Sequence, residues 1–223
     1  MQPPHSDASR LLLERIRAVD ITRERVALAA ALGHPSALAT GMGIAELPRD
    51  LTSEEVEGAF MTVAAEGVSD VAFADAVDSL GVYRRRIEVV LEALDPGERL
   101  TCAYTAVAHA SMGRGEVVGD AVSLVRRYVE EQVLVPADLG RLEDSLFTVA
   151  QRAAEDTTAQ GVEADRKSAY AAWAALSLVR ACRGAPTAKE LAYALDSAAE
   201  STVSPPDERS FQAGLLCKFL LRA

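Results

Sequence analysis

Apolar residues recur at three- and four-residue spacing along nearly the whole chain, and no stretch shows sustained alternation of β-branched residues. This period predicts an all-α protein. The punctuation places most of the helices. A first helix is expected over about Asp7 to Val19, with Leu11, Leu12 and Ile16 inward, and a second from Thr22 to Leu32. Gly33 fits the left-handed position that closes a helix, and Pro35 fits the first turn of the next. His34 lies between them, held out of helical geometry by the proline that follows it, and reads as a corner residue.

"TSEE" (Thr52 to Glu55) and "TAKE" (Thr187 to Glu190) are capping boxes, and "DPGE" (Asp95 to Glu98) is a third start signal. "GRG" at Gly113 to Gly115 is a turn. Beyond it Val118, Ala121, Val122, Val125 and Val129 share one face. Pro136 opens a helix with Leu139, Leu142, Leu146, Ala150 and Ala153 in register, and "TTAQG" (Thr157 to Gly161) is expected to be the loop that ends it. "RKSAYAAWAALSLVRACRG" is apolar on nearly every side, which predicts a central helix with Trp173 buried in its middle. "SPPDE" opens the last helix, carrying Phe211, Leu215, Leu216, Phe219 and Leu220.

These elements total about nine or ten helices. Short turns favour antiparallel neighbours, so the expected architecture is a multi-helix bundle or an irregular α-solenoid-like stack of antiparallel helix pairs. No 34- or 40-residue repeat supports a regular solenoid. With 223 residues, 49% of them hydrophobic, the chain is long enough to bury a sizeable core. It reads as a single helical domain over 1–223, in which 1–45 could form an N-terminal subdomain.

Charge narrows the partners. The formal net charge is −10, which disfavours a phosphate backbone or an anionic membrane surface and favours a basic protein. No apolar run approaches the roughly 18 residues of a membrane span, and "MQPPHSDASR" lacks the basic-then-apolar order of a secretory signal. The expected location is the cytoplasm, where Cys102, Cys182 and Cys217 would be buried thiols.

Catalytic and metal signatures fail on spacing. His5, His34 and His109 are far apart, with no HExxH and no Glu-x-x-His pair. His109, inside an apolar helix, reads as a packed, hydrogen-bonded residue. Cys102 and His109 share a helix face but are separated by a rise of about 10 Å, too far for a nucleophile and its base. "GRGEVVGD" and "GMGIAELP" lack the strand and the Gly-Lys-Ser/Thr of a phosphate cradle. Arg84, Arg85 and Arg86 form the only dense positive cluster, but adjacent helical residues point about 100° apart. They read as a solvated face balanced by Glu88 and Glu92. Asp75 and Asp78 read likewise.

Two stretches resemble known proteins. In Leu11 to Gly41 the residues Arg23, Glu24, Arg25, Leu28, Ala29, Ala30, Leu32, Gly33, His34 and Pro35 match the opening of uncharacterised Ala-rich all-helical proteins of GC-rich bacteria. Ala31 stands where an aromatic is common. Ser168 to Ala181, "SAYAAWAALSLVRA", resembles the Trp-bearing late helix of the same set and of immunity proteins of polymorphic-toxin systems. The resemblance covers about a third of the chain and leaves Glu46 to Asp156 unplaced. It implies a helical domain and brings no catalytic residue.

The expected function is therefore non-catalytic protein binding, as an immunity or regulatory partner using an acidic surface, with no cofactor and no metal. Glu143, Asp144 and Glu155 are the candidate partner-binding residues. The alternatives are a helical scaffold or assembly protein, and an enzyme whose site is scattered across helices.

Overall fold

The computed structural model describes residues 7–18, 52, 55, 58–59, 62, 83–133, 136–160, 163–184 and 186–220. Among these residues there are eight complete helices and no strand, so the protein is all-α. In chain order they are α1 (Asp7–Ala18), α2 (Tyr83–Glu92), α3 (Pro96–Ala110), α4 (Glu116–Glu131), α5 (Pro136–Gln160), α6 (Glu163–Ala181), α7 (Ala188–Ser201) and α8 (Pro205–Leu220). The corner at Gly33–Pro35, the connector after Gly41 and the helix expected from Ser69 lie outside the described residues. The expected count of nine or ten therefore rests partly on residues to which no structure is assigned.

The helix starts follow from local chemistry. Asp95 accepts from the Glu98 amide at 2.9 Å while the Glu98 carboxylate accepts from the Asp95 amide, and Pro96 takes a first-turn position where no N–H is needed. Thr187 and Glu190 form the same reciprocal box before α7. Thr52 and Glu55 form another, with residues 55, 58, 59 and 62 helical behind it. Gly113 and Gly115 have φ of 77° and 102°, which a side chain would resist, so "GRG" turns the chain between α3 and α4.

One expected loop is helical. α5 continues through Thr157 and Thr158 to Gln160. Two β-branched residues weaken a helix by only a few tenths of a kcal/mol each, and no proline or glycine interrupts the segment before Gly161.

The chain divides into two compact units, Met1–Ala93 with Ala213–Ala223, and Leu94–Gln212. In the first, Leu12, Leu13, Ile87, Val90, Leu91, Leu216, Phe219 and Leu220 are buried. Leu11, expected inward, is exposed. In the second, α6 is the central helix. It packs along α5 on one side and α7 on the other, and also meets α3 and α4. Ala171, Ala172, Ala174, Ala175, Leu176, Leu178 and Val179 are all buried, while Tyr170, Trp173 and Ser177, with the exposed Arg166 and Arg180, form a stripe that is only partly covered. The alanines let neighbouring backbones come close without leaving voids. A helix touching four others is consistent with a bundle. The register expected for α5 holds at Leu139, Leu142, Leu146 and Ala150, all buried. Among the described residues no helix is long and apolar enough to cross a membrane.

Candidate functional site

The three acids singled out in the sequence all lie on α5, but they do not act together. Glu143 is 19% exposed and is gripped by two guanidinium groups from the end of α6 and the turn after it. Arg180 Nε lies 2.9 Å and Arg183 Nη1 2.7 Å from its two carboxylate oxygens. The clamp needs space one turn earlier, where a Cβ on Gly140 would meet the Arg183 guanidinium at 3.3 Å. Glu143 is thus a helix–helix tie rather than an open acid.

Asp144 and Glu155 are exposed. Eleven residues of α-helix return nearly to the same azimuth, about 20° off, after a rise of about 16 Å. They therefore lie on one stripe of α5, with exposed Thr148 and Gln151 between them.

An aromatic pair borders that stripe. Phe147 is 44% exposed and meets Trp173 of α6 edge to face, with ring centroids 5.9 Å apart and planes at 86°. Trp173 is half-buried rather than enclosed. It lies on the partly covered stripe of α6, so an Ala-rich neighbourhood in sequence did not mean full burial for the largest side chain. One turn earlier Tyr170, also half-buried, carries the Arg166 guanidinium 5.6 Å above its ring. With aromatic residues only 5% of the chain, three on this flank are a concentration. Large amphipathic rings at a surface are the side chains that anchor protein interfaces.

A second cluster lies where α3 ends and α8 begins. Glu208 is buried, its side chain 3% exposed, and its Oε2 lies 2.8 Å from His109 Nδ1. The buried Gln212 amide reaches Glu208 Oε1 at 3.3 Å and donates to the Leu195 carbonyl at 3.0 Å. The His109 ring stacks on Phe211, with centroids 3.9 Å apart and planes 19° from parallel. His109 is hydrogen-bonded, as its place in an apolar helix suggested, yet its side chain is 45% exposed. Sequence reading places Phe211 on the last helix but gives no sign of its stack on His109 or of a role for Glu208. The only hint was an acid and an aromatic in the helix opened by "SPPDE", which reads as an ordinary first turn.

Other candidates carry less. A groove of about 710 Å³ between α4 and α5 holds Arg126, Arg127 and Arg141, but also Asp120, Glu131 and Asp138. Arg126 is paired with Glu130 and Arg141 with Asp138 within their own helices, so the groove offers no clear charge preference. The three cysteines are buried, and burial pushes the Cys182 and Cys217 thiols up to about 12, out of the nucleophilic range. Among the described residues no three His, Cys, Asp or Glu side chains are grouped to hold a metal ion. The chain matches no protein-family model, no curated protein and no solved structure.

Proposed function

We propose that this chain is a protein-binding domain, of the immunity or regulatory kind, that receives a basic partner on the outer flank of α5 and α6. The observation that carries this reading is the pair of exposed Phe147 and half-buried Trp173 beside the Asp144–Glu155 stripe. The rings offer an apolar anchor whose burial would hold the complex. The two carboxylates, backed by a net charge of −10, would steer a cationic surface toward it. The residues expected to act are Phe147, Trp173, Asp144 and Glu155. Glu143 shapes the flank from within. The resemblance of Ser168 to Ala181 to immunity proteins falls on this same helix and points the same way.

The test is kinetic. Partners recovered from source cells are measured for association at two ionic strengths, against the native chain, the Asp144→Lys/Glu155→Lys variant and Phe147→Ala. The reading expects association to slow with salt and in the charge-reversed variant, and dissociation to quicken in Phe147→Ala. Association indifferent to salt, or a partner as acidic as this chain, overturns it. A helical scaffold, the second reading, rests on the exposed Met112 and Val203 and expects self-association in sedimentation that survives high salt.

A further inference from the structure

The α3–α8 corner holds an arrangement that the docking reading does not use. We propose that His109 is a phosphoryl-accepting site, with Nε2 as the nucleophile and Glu208 as the positioning residue. A carboxylate can only accept a hydrogen bond, so the 2.8 Å contact places the proton of the neutral ring on Nδ1. Nε2 then carries the lone pair. Phe211 covers one ring face and Glu208 covers the Nδ1 edge. With these two groups in place, 45% of the side chain remains exposed, and His109 lines the adjoining hollow. This is the third-group logic of an activated nucleophile: a buried acceptor fixes tautomer and direction before the reactant arrives.

The surroundings suit a small phosphorylated donor. His109 and Glu208 border a surface hollow of about 300 Å³, with Arg114, Thr202, Ser204 and Asp207 on its walls. The guanidinium of Arg114 matches phosphoryl oxygens in geometry and charge, and Asp207 opposes it. The step balances without a further reactant. The Nε2 lone pair attacks phosphorus of an acyl phosphate or a phosphoramidate. An N–P bond forms while the bond from phosphorus to the leaving group breaks, and the leaving group departs with that electron pair. The Nδ1 proton stays on the Glu208 hydrogen bond throughout. No electrons are exchanged with an oxidant or reductant.

The probe is phosphoramidate, with incorporation followed by mass and by 31P NMR, and the site located by peptide mapping. The expected result is one acid-labile, base-stable phosphoryl group on His109 Nε2, formed faster than on N-acetylhistidine under the same conditions. Arg114→Gln should slow it and Asp207→Asn should quicken it. Glu208→Gln should slow it about tenfold, the lower end of what an imidazole loses with its orienting carboxylate. 15N NMR of His109 should show an Nδ1–H tautomer in the native chain and a mixture in Glu208→Gln, a readout that a merely structural role would not move. Asp207 is exposed and Arg114 half-buried on the rim of the hollow, so their variants decide the matter even if Glu208→Gln folds poorly. A rate no higher than that of N-acetylhistidine, labelling confined to other residues, or indifference to both surface variants overturns the proposal.

Discussion

The α3–α8 corner and the α5–α6 flank solve one problem in two ways. Each ties two helices with a carboxylate and an aromatic pair. At the corner the carboxylate is Glu208, its side chain 3% exposed, hydrogen-bonded to His109. On the flank it is Glu143, 19% exposed, between Arg180 and Arg183. The difference lies in what water can repair. A surface carboxylate that loses one arginine keeps the other and gains solvent, whereas a buried one that loses its partner is left with the cost of desolvation. The corner should therefore tolerate substitution less well than the flank.

The sharpest way to break this comparison is His109→Ala. Among the described residues, it leaves the Gln212 amide as the side-chain hydrogen-bond partner of buried Glu208. Leaving a buried hydrogen-bonding group without its partner costs roughly 1–3 kcal/mol, so about 2 kcal/mol is expected in urea unfolding. Adding Glu208→Leu should recover part of that loss, because removing both partners costs less than removing one. A double variant no more stable than His109→Ala would mean that the corner is held by the His109–Phe211 stack rather than by the hydrogen bond to Glu208.

The aromatic pair on the flank comes next. Truncating a fully buried tryptophan costs about 3–5 kcal/mol. Trp173 is half-buried, so Trp173→Ala should cost less than that range, about 2 kcal/mol, and its native fluorescence should respond to a soluble quencher. Full protection from quenching would restore the enclosed tryptophan that the sequence suggested, and would remove the aromatic anchor from the docking reading.

That misplacement shows where sequence reading stops. The capping boxes at Thr52, Asp95 and Thr187 were legible because each is closed within four residues, and the α5 register because burial repeats with the helix. Thr157 to Gln160 misled because loop-favouring residues were not enough to end a long helix without a breaker. The His109–Glu208 bond joins residues 99 apart, and nothing near either one announces the other. Trp173 was assigned by its neighbours' size, but exposure is decided by which helix lies opposite. Of the three candidate acids, the sequence could not tell Glu143 from Asp144, although about 100° of helix separates them and turns one inward.

The clamp itself should be worth little. Glu143→Ala is expected to cost about 0.5–1 kcal/mol, the range of a partly exposed ion pair, measured by urea unfolding at low salt and fading at high salt. Gly140→Ala tests the same contact from the other side. A methyl there presses on the end of a flexible arginine at 3.3 Å, while replacing glycine inside a helix favours the fold by up to about 1 kcal/mol. The expected result is a chain no less stable than the native one. A loss above about 1 kcal/mol would mean that the Arg183 arm cannot give way and that the flank is rigid there.

The smallest effect on stability should come from the residues expected to meet the partner. Asp144 and Glu155 are exposed, and reversing both to lysine should change unfolding by no more than about 0.5 kcal/mol. Asp144 is the more informative of the two. It adjoins Glu143 in sequence yet faces out while Glu143 faces α6, so Asp144→Lys separates long-range steering from damage to the clamp. Steering acts over about a Debye length, roughly 10 Å at 0.1 M salt. The variant should therefore slow association at low salt and approach the native rate as salt rises, with the dissociation rate unchanged. If dissociation quickens instead, Asp144 makes a close contact within the complex, and the docking site is centred on the stripe rather than on the Phe147–Trp173 pair.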